Sequence, residues 1–104
     1  MKSVRIGAGQ GFWGDSPFPA LDVVQKGDVQ YLAGDALAEL TLAILQKARQ
    51  KDPAKGYVED MFFQLLLAPC YQKGIKILTN AGGINPPGAG RTVYELARRM
   101  GLKG

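Results

Sequence analysis

The sequence predicts an α/β fold: a three-layer sandwich with a short, mostly parallel sheet. Three observations carry that expectation. Short apolar, β-branched runs alternate with amphipathic patterns in the order β-α-β-α-α-β-α, which favours parallel strands joined by right-handed crossovers. Each strand-like run empties into a turn of glycine with a carboxylate or an amide, as in Gly14-Asp15, Gly34-Asp35 and Asn80-Ala81-Gly82. The 104 residues, 46% hydrophobic and 21% charged, suffice for one core and are too few for two.

Val4 to Ala8 is a short apolar run, expected to be a strand buried on both faces. Asp15 or Ser16 then offers a cap for a short helix, with Pro17 in its first position. Ala20, Leu21, Val23 and Val24 supply its apolar side, and Gly27 its stop. Val29 to Ala33 predicts the second strand. Asp35 is placed to cap the next helix, whose stripe is Leu37, Leu40, Ile44 and Ala48 with Thr41 and Leu45 alongside. Lys47, Arg49 and Lys51 suit its last turns, and Asp52-Pro53 ends it.

A further helix is expected from Tyr57 to Leu67, interrupted at Pro69 and restarted over Cys70 to Lys73. Ile75 to Thr79 predicts the third strand. Val93, Leu96, Ala97 and Met100 mark the final helix, closed by Gly101. Leu102-Lys103-Gly104 falls where another strand would start, so the pattern suggests the front part of a larger domain. An open sheet edge then calls for self-association (a homo-oligomer) or a companion chain.

Composition excludes several chemistries. There is no histidine, which removes His-based nucleophile activation, Cys/His zinc sites and the commonest general base; no metal site is expected. Cys70 is the single cysteine, so no intrachain disulfide forms, which suits a reducing, cytoplasmic setting. No apolar run approaches the ~20 residues of a membrane span, so no membrane partner is expected. The net charge of +4 is partly carried by Arg91, Arg98 and Arg99, a solvated helix face rather than a nucleic-acid stripe.

Open parallel sheets bind ligands beyond the carboxyl ends of their strands, which here gathers Gly9, Gly11, Trp13, Asp35, Asn80, Gly82, Gly83 and Asn85 as candidate binding residues. Backbone N–H groups of the glycines would cradle an anion, with Asn80 and Asn85 orienting it. Asp15 and Asp35 are the candidate acid/base groups, against a plainer role in helix capping. Asp60 belongs to a first helical turn, where its charge is favoured in any case. Trp13, with Phe12, would plug the edge or wall an apolar ligand. Cys70 is read as a buried small hydrophobe.

Gly9-Gln10-Gly11-Phe12-Trp13-Gly14 matches the dinucleotide fingerprint, with Asp35 at the ribose position. Pro17 and Pro19 delay the following helix, however, and pyrophosphate needs a helix N-terminus inside the motif. Gly90-Arg91-Thr92 resembles only the tail of a P-loop. Asn85 stands where the first glycine should be, and arginine replaces the lysine. The Gly88-Ala89-Gly90 helix start remains open to a simple anion.

Arg5-Ile6-Gly7-Ala8-Gly9, Gly14-Asp15-Ser16, Tyr31-Leu32-Ala33-Gly34-Asp35 and above all Gly74-Ile75-Lys76-Ile77-Leu78-Thr79-Asn80-Ala81-Gly82-Gly83-Ile84-Asn85-Pro86 resemble the N-terminal segment of the acyclic terpene utilisation, or AtuA-like, family. The resemblance spans nearly the whole chain, whereas members are several times longer. Residues 1–104 would thus be one α/β domain or the N-terminal fragment of one. The resemblance implies a link to breakdown of terpenes such as citronellol and geraniol through branched acyl-CoA intermediates. It implies no catalytic residue and no cofactor, but points to a CoA thioester or other small anionic metabolite as ligand. The alternatives are a structural or assembly module completed by another chain and, behind it, a dinucleotide-binding domain.

Overall fold

A computed structural model describes residues 3–59 and 62–102. Its elements are β1 (Ile6–Gln10), α1 (Phe18–Lys26), β2 (Tyr31–Gly34), α2 (Glu39–Lys51), α3 (Phe62–Lys73), β3 (Lys76–Thr79) and α4 (Pro86–Arg99). The strands form one parallel sheet in the order β1-β2-β3. The α/β class, the element order and the parallel pairing are therefore as the sequence predicts.

Strand register decides which side chains meet. Gly7, Leu32 and Ile77 align across the sheet, as do Ala8, Ala33 and Leu78 one residue on. Successive side chains point to opposite faces, so these two rows lie on different sides. On the first side, Leu32 joins Ala20 and Val24 of α1 and Phe62, Leu66 and Cys70 of α3 in the main core. Leu32 and Leu66 are wholly buried, and each contributes about 1.5–3 kcal/mol through that burial. Gly9 lets α1 approach: a Cβ there would lie 2.9 Å from Leu32 Cδ1 and 3.2 Å from Ala20 Cβ.

The other side is bare. Ile6 is 62% exposed and Leu78 54%, and Ala8 is exposed beside them. The expectation that the first strand is buried on both faces is corrected: the described helices cover one face, and none of them forms the third layer.

Three local expectations are also corrected. Asp35 does not cap α2; an extended segment intervenes, and Ala38 occupies the cap position without a side-chain bond. The helix consequently turns Thr41 and Leu45 inward, leaving Leu40 73% and Ile44 43% exposed. Tyr57 to Glu59 is not helical, because the Val58 N–H donates to the Ala81 carbonyl at 2.8 Å and ties that segment to the turn after β3. Asp60 lies outside the described residues. Finally, α3 runs unbroken through Pro69. A mid-helix proline costs about 3 kcal/mol, and the buried Leu66 and Cys70 on either side supply the packing that offsets it.

Candidate functional site

The carboxyl edge of the sheet is formed by the segments that leave Gln10, Gly34 and Thr79. The side chains expected to bind a ligand there are occupied by one another. Asn80 donates from Nδ2 to Asp35 Oδ1 at 2.8 Å, while its Oδ1 accepts from the Ala36 N–H at 2.8 Å. Asp15 accepts from the Gly11 N–H through Oδ2 at 3.0 Å. Each candidate carboxylate thus holds a turn together. At Ser16, Oγ lies 3.4 Å from the Phe18 N–H, and Pro17 takes the cap position of α1. That start is four residues past Gly14, so the first turn of α1 does not open inside the glycine motif.

The turn after β3 is bound more tightly still. Asn85 is 6% exposed. Its Nδ2 donates to the carbonyls of Ala54 at 3.2 Å and Lys55 at 3.0 Å, and its Oδ1 caps α4 by accepting from the Gly88 N–H at 3.2 Å. Helix α4 therefore begins at Pro86, two residues before the expected start, and the Gly88 amide faces Asn85 instead of an anion. Gly83 has φ +56°, and a Cβ there would sit 2.7 Å from both Gly56 O and Leu45 Cδ1. Glycine is required at this position by backbone conformation and by space together. The Gly83 N–H itself donates to Asn80 O at 3.1 Å.

Beside this turn lies a cleft of about 510 Å³ between the 57–59 segment, α3 and α4. Its walls are mainly apolar: Val58, Phe63, Val93 and Leu96, closed at one end by Gly82, Pro86 and Ala89. Of the expected binding residues, only Gly82 reaches it. Gly9, Gly11, Trp13, Asp35, Asn80, Gly83 and Asn85 do not line it. Trp13 instead sits on an outer loop with Phe12, the two being 36% and 61% exposed.

Polar groups are few in the cleft and have distinct roles. Tyr57 Oη lies 2.7 Å from Thr92 Oγ1. Glu59 is paired with Lys55 at 3.0 Å. The hydrogen bond and negative charge of Glu59 raise the Lys55 pKa above its ordinary value. Arg99, on α4, brings a cation to the lining and pairs with no carboxylate among the described residues. On α3, burial pushes the Cys70 thiol up, which keeps it neutral and unreactive. Among the described residues, no group of three His, Cys, Asp or Glu side chains comes together to hold a metal ion. No described helix is long and apolar enough to cross a membrane.

The residues that sequence reasoning missed are Tyr57, Val58, Phe63, Thr92, Val93, Leu96 and Arg99. The signal was present as the strong apolar stripe of α4, but a stripe does not say whether it meets a core or a cavity. In α4, only Gly88 is buried; Val93 and Leu96 are half-buried and line the cleft.

The chain is a one-faced parallel α/β domain with an apolar cleft past the carboxyl edge of its sheet. More particularly, the chain belongs to the acyclic terpene utilisation protein AtuA family, whose model matches residues 4–104. Membership associates it with acyclic terpene utilisation. No curated protein and no solved structure matches the chain.

Proposed function

We propose that this domain binds, in the cytoplasm, a small anionic metabolite built on an acyclic apolar chain, such as a branched acyl-CoA thioester. The cleft between α3 and α4 carries the reading. Its apolar walls and Arg99, a cation with no carboxylate partner among the described residues, suit a hydrocarbon chain ending in a negative charge. The free, buried Cys70 agrees with a reducing compartment. Relative to the glycine amides of the edge, the ligand is displaced toward α4 and touches the turn through Gly82.

Thermal shift with branched-chain acyl-CoA thioesters, the parent carboxylates and CoA alone provides the test. At a hundredfold excess over Kd, binding adds about 2.7 kcal/mol, roughly 10 °C or more in Tm for a domain of this size. Val93→Trp, which fills the cleft from a half-buried position, is expected to abolish that shift in a folded protein. An equal shift in the variant would place the ligand elsewhere; no shift with any compound would sink the reading.

The bare sheet face favours a second reading, an assembly module completed by a second chain. Parallel sheets are normally covered on both sides, and Ile6 and Leu78 are not. Sedimentation analysis of the wild type and of Leu78→Lys tests it. Monomers at every concentration would remove self-association.

A further inference from the structure

We propose that Tyr57 sets the polar specificity of the cleft, and that the ligand it selects carries a hydroxyl on its apolar chain. The inference rests on the cleft being the binding site. It follows from where one proton must go. Thr92 Oγ1 lies 3.1 Å from the Gly88 carbonyl oxygen and 2.7 Å from Tyr57 Oη. A carbonyl oxygen only accepts, so the single hydroxyl proton of Thr92 makes that bond. The short contact to Tyr57 is then made by the tyrosine proton. No other arrangement satisfies both contacts.

Tyr57 therefore has no proton left for a ligand. It lines the cleft half-buried beside Val58, with Phe63 and Val93 on the other walls, and presents oxygen lone pairs. A ligand that donates to this oxygen gains a hydrogen bond. A ligand hydroxyl does so. An ether or carbonyl oxygen at the same place would set acceptor against acceptor. A site that hydrogen-bonds one ligand group discriminates more sharply than an apolar wall can.

Arg99 gives the complementary end. It follows Thr92 by seven residues, about 10 Å along the helix axis. Both residues line the cleft. Chemically, the ligand is a chain with a hydroxyl near Tyr57 and an anionic group toward Arg99: a hydroxylated acyl compound rather than a plain one.

Calorimetric titration with ω-hydroxyoctanoate, ω-methoxyoctanoate and octanoate tests this on the intact chain. The hydroxy compound is expected to bind about fivefold more tightly than the methoxy compound, the worth of one neutral hydrogen bond. Tyr57→Phe should erase that preference while octanoate still binds. Thr92→Val is the sharper variant, because it frees the Tyr57 proton to turn into the cleft. The methoxy compound should then gain on the hydroxy compound, an outcome that mere loosening of α4 would not produce. Should Tyr57→Phe fail to fold, Thr92→Val alone decides. Equal affinity of the hydroxy and methoxy compounds for the wild type, with octanoate binding, overturns this proposal and leaves the cleft reading standing. Failure of all three to bind overturns both.

Discussion

The turn at residues 80–85 and the cleft next to it share Gly82 but are built on opposite terms. In the turn, Asn80 and Asn85 spend their amide groups on Asp35, Ala36, Ala54, Lys55 and Gly88, all inside the chain. In the cleft, Val93 and Leu96 remain half-buried and Arg99 keeps its charge unpaired among the described residues. The first region is rich in polar groups and offers few to a ligand. The second is poor in them, and Tyr57, Thr92 and Glu59 already have partners, which leaves Arg99 as its cation without a carboxylate partner among the described residues. A conspicuous cluster of glycine and asparagine thus marks where the chain is held together. The cleft proposed to bind a ligand lies one helix face away.

The largest expected effect tests the holding role. Gly83→Val forces a branched side chain into the left-handed region and against Gly56 O and Leu45 Cδ1. Backbone strain alone costs about 1–2 kcal/mol, and overpacking adds about 1–3. Urea denaturation should therefore show a loss of about 3 kcal/mol or more. A near-neutral result would break the comparison, since the turn would then be free to deform around a ligand.

Asn85→Ala is expected to come next. It removes the cap of α4 and leaves the Ala54 and Lys55 carbonyls short of a donor. A lost cap costs about 1 kcal/mol, and unmet buried acceptors cost about 1–3 kcal/mol more. The loss should be about 2–4 kcal/mol by denaturation. Because Asn85 fixes where α4 starts, ligand response should weaken as well, through a displaced cleft wall. Unchanged stability with lost binding would instead make Asn85 a direct ligand contact.

How much of this was legible follows from the range of the forces involved. Element order and parallel pairing are legible, and the start and stop of α1 and α4 come within about two residues, because glycine, proline and apolar periodicity act locally. The Tyr57–Leu67 helix failed at its front for a non-local reason: Val58 is claimed by Ala81, more than twenty residues away. The α2 stripe failed similarly. Leu37, Leu40, Ile44 and Ala48 have the right spacing, but the extended Asp35–Ala38 segment rotates Leu45 toward Ala36, Val58 and Ala81 instead. Carboxylate and amide side chains at the edge were correctly brought together, as Asp35 with Asn80 shows. That they also satisfy each other depends on distances no spacing rule contains.

The smallest effect bears on the charge of the cleft. Glu59 lines it, and its negative charge is offset by Lys55, with Nζ 3.0 Å from Oε1. The Lys55 side chain is partly exposed and its ion pair lies at the surface, so its removal should barely alter folding. Lys55→Met would leave Glu59 uncompensated at the cleft, repelling an anionic ligand and leaving a neutral one untouched. Octanoate affinity should fall about two- to threefold in low salt, as expected of an exposed charge pair. Raising the ionic strength above about 0.15 M, where screening acts within about 8 Å, should shrink the difference. The matched neutral probe, octanol, should bind wild type and variant alike. If octanoate is equally unaffected, the anionic end of the ligand does not lie near Glu59, and the orientation of the chain along α4 must place its charge at Arg99 alone.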